Sequence, residues 1–294
     1  MTHVADNDIF VVMFHEKRSP HLLLLGVGAQ KSGTTWLYGQ LAKHPEVEFG
    51  WKKELNFWGS LWDKNLADRK PKRLRHRLRN KFYHFPNGKR IPHYPLFTSW
   101  LAKEYFDELR RVVAEGTRVV GDVTPHYAAI SSQGFDTIKK HAAKNGFSPR
   151  VLFIMRDPVE RVISGVMHSN RRLKNPTNEQ LVELVSQTYR TYPVEARTRY
   201  DKTIQNLESV FSPEQIHYLF FEELFTNESM SKIEKWLDIS PIPADFDERI
   251  GPGTHKVSIP EELRQSIRNH FGEVYDFCRQ KFGADKVTSL WKNS

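Results

Sequence analysis

The segment His21 to Trp36, HLLLLGVG followed at once by AQKSGTTW, restricts this chain more than any other part of it. A short unbroken apolar run is what a strand buried on both faces of a parallel sheet requires. Glycines at 28 and 33 let the backbone bend tightly around an anion. The helix predicted from Thr34 to Lys43, stopped before Pro45, turns its free N–H groups and positive dipole end toward the same point. Strand, glycine loop and helix in this order predict an α/β fold with an anion at the loop.

The rest of the chain repeats the alternation. Strands are predicted at Arg118 to Val123, Arg150 to Met155 and Ile216 to Phe221. Helices are predicted over Leu101 to Glu115, Phe135 to Asn145, Pro158 to about Arg172, two pieces within 178 to 210, Glu228 to Leu237, and one last helix from Glu261 to Phe282. The expected architecture is a P-loop NTPase-like, three-layer α/β/α arrangement around a central, mostly parallel sheet, with ligands outside the carboxyl ends of the strands. Residues 1–294 are read as one domain, with a basic insertion at about 60–100.

That insertion holds most of the charge. Between Lys64 and Arg90 stand eleven Lys or Arg and one acid, Asp68, in a chain whose net charge is +9. Such a concentration suits an anionic partner, and equally a solvated surface helix. Cys278 is the only cysteine, so no intramolecular disulfide is possible. No apolar run approaches the ~20 residues of a membrane span, and the first residues have neither a leader's basic region nor a small-residue cleavage site, so the expected location is cytoplasmic.

Gly28 and Gly33 keep the spacing of a Walker A loop, but Thr34 stands where the lysine belongs and the lysine appears earlier, as Lys31. An ATP-hydrolysing loop uses its lysine and the next hydroxyl to hold phosphates and magnesium. No conventional Walker B acid stands out, Asp122 being the nearest. A second anion motif, Arg156-Asp-Pro-Val-Glu-Arg-Val-Ile-Ser164, follows the strand ending at Met155, with Arg156 at the strand end and Ser164 two turns into a helix. A forked guanidinium and a compact hydroxyl suit a phosphate.

Together the two motifs resemble those of sulfotransferases that use 3′-phosphoadenosine 5′-phosphosulfate (PAPS), and within them the heparan sulfate and related carbohydrate branch. The likeness continues in order through HPEV (44–47), KELNFW (53–58), DVTPHY (122–127), the helix with Tyr200 and Asn206, IHYLFFEEL (216–224) and GTHKVSIPEEL (253–263). It implies that Lys31, Ser32, Gly33, Thr34, Thr35 and Trp36 surround the 5′-phosphosulfate, that Arg156 and Ser164 hold the 3′-phosphate, and that Gly253, Thr254, His255 and Lys256 close over the nucleotide. Glu54 matches the catalytic carboxylate, and Lys53, Asp122 and Tyr127 fall in the acceptor region. Val123 departs from the family, which has a lysine before the Thr-Pro pair.

In-line sulfuryl transfer needs a base for the hydroxyl proton and positive charge on the departing phosphate. Glu54 and Lys31 answer those needs, and His126, beside Pro125 at a strand end, is the rival base. No histidine has zinc-ligand spacing, so no metal is expected. The expected partner is a hydroxyl acceptor, an anionic glycan among the candidates; nucleic acid is not expected. Two other functions compete: an ATP-dependent small-molecule kinase on the same fold, and a polyanion binder that uses the basic stretch beside a decayed nucleotide site.

Overall fold

The computed structural model describes residues 21–50, 52–62, 94–247 and 257–293. Its strands are β1 (His21–Gly28), β2 (Val47–Phe49), β3 (Val119–Val123), β4 (Phe147–Met155) and β5 (Ile216–Phe220), all parallel, in the order β2-β3-β1-β4-β5. From β1 the chain passes to the edge strand β2, returns to β3 between the two, and then crosses to β4 and β5 on the other side. Neighbouring connections therefore diverge at the carboxyl ends of β1 and β4, where such sheets open a crevice.

Alternate residues of β1 explain the layers. Leu23, Leu25 and Val27 belong to the core on one face, and Leu24 to the core on the other. On the Leu24 side lie α1 (Thr34–Leu41), through Trp36, Leu37 and Leu41, and α9 (Asn227–Leu237), through Met230, Ile233 and Leu237. The opposite face is covered by α3 (Tyr94–Arg111), α4 (Ser132–Lys144), α5 (Pro158–Ser169), α8 (Tyr200–Glu208) and α11 (Gly272–Phe282). Each fully buried leucine in these layers contributes roughly 1.5–3 kcal/mol through burial. The remaining helices are α2 (Phe57–Trp62), α6 (Asn178–Thr188), α7 (Tyr192–Glu195), α10 (Glu261–His270) and α12 (Ala284–Leu290).

The structure revises several predicted boundaries. β2 escaped the sequence reading because three edge residues give no period to detect. β4 begins at Phe147, three residues early, and tolerates Pro149 because its pairing with β5 starts only at Val151; up to there the strand has an open edge. The predicted single C-terminal helix is broken at Phe271, outside helical geometry, and ends at Phe282 as predicted, before Gly283, whose φ is 96°. The basic stretch from Lys64 to Arg90 lies outside the described residues.

α5 is anchored at its start. The Asp157 carboxylate caps it, accepting from the N–H of Val159 at 2.9 Å and of Glu160 at 3.4 Å. It also accepts from the Tyr275 hydroxyl at 2.9 Å and from the backbone and side-chain nitrogens of Asn293 at 3.0 Å each. The C-terminal segment thus holds the turn that presents Arg156.

Candidate active site

The loop after β1 has the conformation its glycines foretell. Gly33, at φ 78°, caps α1, and a Cβ there would stand 2.4 Å from Leu224 Cδ2, so both the backbone and the space call for glycine. Lys31 also takes a left-handed conformation, φ 71°. The first helical bond runs from Leu37 N to Gly33 O at 3.1 Å, so the N–H groups at the start of the helix have no partner within it. Ser32 is wholly buried, and its Oγ has no hydrogen-bond partner among the described residues.

Three cations converge here. Lys53 Nζ donates to Thr35 Oγ1 at 2.9 Å and Thr34 Oγ1 at 3.4 Å, and pairs with Glu54 Oε1 at 3.3 Å. Arg156 Nη1 donates to the Lys31 carbonyl at 3.1 Å while its guanidinium lies 4.7 Å from the centroid of the Phe221 ring. The Lys31 ammonium is held below its ordinary pKa by desolvation first and then by repulsion from Arg156, Lys53 and Arg171. Desolvation likewise lowers the pKa of Lys53, with Glu54 opposing. The site therefore carries a surplus of positive charge, which fits an anionic group of several charges.

Glu54 is half-exposed, and the residues after it are stitched to the end of β3. Leu55 N donates to Asp122 Oδ1 at 3.4 Å, Asn56 N to Thr124 Oγ1 at 3.2 Å, and the N–H groups of Phe57 and Trp58 to Tyr127 Oη at 3.1 and 3.3 Å. Asp122 anchors this set: it accepts from Thr124 Oγ1 and Tyr127 Oη at 2.7 Å each and from Tyr105 Oη at 3.0 Å. Burial raises its pKa against those hydrogen bonds, and burial with the Asp122 charge raises the pKa of both tyrosines.

The positions expected from the sequence are thus distributed unevenly. Lys31, Ser32, Gly33, Thr34, Thr35, Lys53, Glu54 and Arg156 gather at the loop. Ser164 sits partly exposed two turns along α5. Asp122 and Tyr127, read as acceptor contacts, are fully buried, their polar atoms engaged in the hub behind Glu54. Trp36 is 4% exposed; its indole N–H donates to the Asp245 carbonyl at 3.2 Å and its ring packs edge-on against Phe225. His126 packs on Gly59, where a Cβ would stand 2.6 Å from its ring, and its Nδ1 accepts from Arg197 Nη2 at 3.2 Å. Gly253, Thr254, His255 and Lys256 lie outside the described residues.

The sequence reading missed Gln30, Arg197, His168 and Arg171. Gln30 Oε1 accepts from Arg197 Nη1 at 3.4 Å. His168 loses basicity through burial, then through Lys31 and Arg171, with Glu54 opposing. Its one available signal was spacing, since residues 164, 168 and 171 follow one another at four and three along one helical face. Arg197 comes from a distant turn, and no linear pattern announces it. Among the described residues no three His, Cys, Asp or Glu side chains gather as metal ligands, and no helix is long and apolar enough to cross a membrane.

Comparisons with known proteins place the chain among sulfotransferases. The chain is similar in structure to a sulfotransferase from Alicyclobacillus acidocaldarius, with 18% identity, a TM-score of 0.56, and coverage of 87% of this chain and 94% of the other. It also matches the sulfotransferase domain of the Synechococcus PCC 7002 olefin synthase, with 15% identity, a TM-score of 0.45 and coverage of 85% and 87%. No curated protein matches it. The first likeness shows the fold. The family model described as "Sulfotransferase family" matches residues 24–243, and on that match the chain belongs to the sulfotransferase family.

Proposed function

We propose that the protein transfers the sulfuryl group of PAPS to a hydroxyl acceptor, a carbohydrate or another alcohol. The observation that carries this reading is the convergence of Lys31, Lys53 and Arg156 on the start of α1, against one exposed carboxylate, Glu54. PAPS supplies a sulfuryl group joined to a phosphate that can leave as an anion.

The chain's residues then divide the work. Backbone N–H groups from Gly33 to Trp36, with the hydroxyls of Thr34 and Thr35, hold the 5′ side, and Arg156 with Ser164 takes the 3′-phosphate. Lys31 neutralises charge on the departing phosphate, and Lys53, oriented by Thr35, adds a second positive charge. Trp36 backs Phe225, which is 40% exposed and offers a flat apolar face to a purine.

Glu54 removes the acceptor's proton. Its carboxylate is accessible, with 53% of the side chain exposed, and the hub of Asp122, Thr124 and Tyr127 fixes the backbone that follows it. His126 is less suited to that task. A guanidinium has only donors, so Nδ1 must be the acceptor in the Arg197 contact and the neutral ring carries its proton on Nε2. That Nε2 is buried against Gly59, which leaves His126 a part in shaping the site.

Labelled PAPS incubated with a panel of glycosides, alcohols and phenols tests the proposal. Transfer of label to one of these classes, with release of 3′-phosphoadenosine 5′-phosphate (PAP), is expected. Absence of transfer across the panel, together with phosphorylation from ATP and magnesium, would replace it with the kinase reading.

A further inference from the structure

Arg161, on α5, is 1% exposed, and neither its Nε nor its Nη1 has a hydrogen-bond partner among the described residues. Burial pushes its pKa down to about 10, and the groups acting on it besides are Tyr200, Arg197 and Arg156, none of them a carboxylate. At neutral pH it remains a cation. Buried cations are ordinarily paired, because withdrawing one from water is costly. This one has no counter-ion among the described residues.

Its surroundings show which way it serves. A Cβ on Gly165 would stand 3.0 Å from Arg161 Nη2 and 3.9 Å from Gln30 Oε1, so the guanidinium and the loop glutamine flank one glycine that leaves them room. Gln30 Oε1 accepts from Arg197, and Arg197 reaches His126. A polar row thus runs from α5, behind the phosphosulfate loop, to the end of β3, where His126 packs on Gly59, five residues beyond Glu54. Arg156, which faces Lys31 and Phe221, lies near enough to repel Arg161 but makes no hydrogen bond to the row.

We propose that Arg161 and Arg197, either side of Gln30, form a subsite for an oxyanion of the acceptor, a carboxylate or sulfate near the hydroxyl that receives the sulfuryl group. The inference rests on the PAPS-dependent reading above and narrows its acceptor to anionic ones. An oxyanion on these guanidinium groups has one other source, a phosphate of the donor nucleotide, which the test separates.

The test compares thermal unfolding of the full chain with that of Arg161→Met, with and without saturating PAP, while sodium sulfate is titrated against sodium chloride of equal ionic strength. Methionine fills the space without a charge, so the ligand-free variant should unfold at the same temperature or higher. PAP should stabilise both proteins equally. In the PAP complex, sulfate should add a saturable increment of roughly 2–4 °C to the wild type and none to the variant. Loss of the PAP response in Arg161→Met would assign the guanidinium to the nucleotide and overturn the proposal. So would a variant that fails to fold or unfolds several degrees lower, or a wild type with no saturable sulfate increment. If PAP stabilises neither protein, the donor reading fails, and the sulfate titration without nucleotide still decides whether Arg161 binds an oxyanion.

Discussion

Arg156 donates a hydrogen bond to the carbonyl oxygen of Lys31 at 3.1 Å, so the residue assigned to the 3′-phosphate also fixes the backbone of the loop assigned to the 5′ side. The two halves of the nucleotide site are mechanically joined through one guanidinium. Arg156→Ala should therefore weaken both PAP and adenosine 5′-phosphosulfate, but unequally. Loss of a charge-assisted contact to the 3′-phosphate should cost PAP about 10- to 100-fold in affinity. The ligand without that phosphate should lose only the smaller contribution of loop disorder. Calorimetric titration of both ligands gives the ratio, and equal losses would show that Arg156 acts on the loop alone.

Glu54→Gln removes a base and leaves the shape of the site. Turnover should fall by ~10²–10⁴-fold, while the PAP dissociation constant and the unfolding temperature stay near wild type because the side chain is half-exposed. His126→Ala should reduce turnover less. Normal turnover in Glu54→Gln would move proton removal elsewhere.

Asp122 should behave as a positioning residue. Asp122→Ala deprives the hydroxyls of Tyr105, Thr124 and Tyr127 and the N–H of Leu55 of a common acceptor. A loss of about 2–4 kcal/mol in stability is expected from that many buried groups left unsatisfied. Asp122→Asn, which keeps an acceptor oxygen, should recover much of it. In a folded variant kcat should fall with PAP affinity preserved, since the hub supports the segment after Glu54 and does not touch the loop. A parallel loss of PAP affinity would contradict that division.

The lowered lysine pKa values predict the alkaline behaviour. Desolvation and neighbouring cations hold the Lys31 and Lys53 ammonium groups below the ordinary 10.5 in the ligand-free protein, and a bound anion raises them again. Binding therefore takes up protons where the free and bound values differ, and PAP affinity should decline with rising pH from below 10.5. For the ligand-free fold the unfolded chain binds more protons in the window between the lowered values and 10.5. The destabilisation from these charges is fully present below that window and relaxes as pH rises through it. Lys31→Arg, charged throughout, should displace the decline in PAP affinity to higher pH. An affinity profile unchanged by Lys31→Arg would separate Lys31 from the nucleotide.

Most of the fold was legible where periodicity was strong. The run HLLLLGVG is β1 residue for residue, and Pro158 opens α5 as proline at a first helical turn should. Failures came where local pattern yields to three-dimensional context. Val47 to Phe49 form a strand only because β3 lies beside them, and Phe271 interrupts a stretch whose sequence keeps helical spacing. At the site, the loop and Arg156 were visible as motifs. Asp122 was read at a strand end as a contact because its burial under Tyr105 and Tyr127 depends on helix α3, distant in sequence. Arg161 and Arg197 gave no sign of their shared neighbour Gln30, since side-chain convergence across a sheet edge has no linear signature.

The most direct measurement of the central claim is calorimetric titration of the protein with PAP, with ADP, and with ATP plus magnesium, the PAP titration being repeated in excess chelator. The account predicts that PAP binds most tightly, that ADP loses at least the tenfold due to the missing 3′-phosphate, and that chelator changes nothing because Lys31, Lys53 and Arg156 supply the neutralising charge. Tight, magnesium-dependent binding of ATP with no preference for PAP would contradict it.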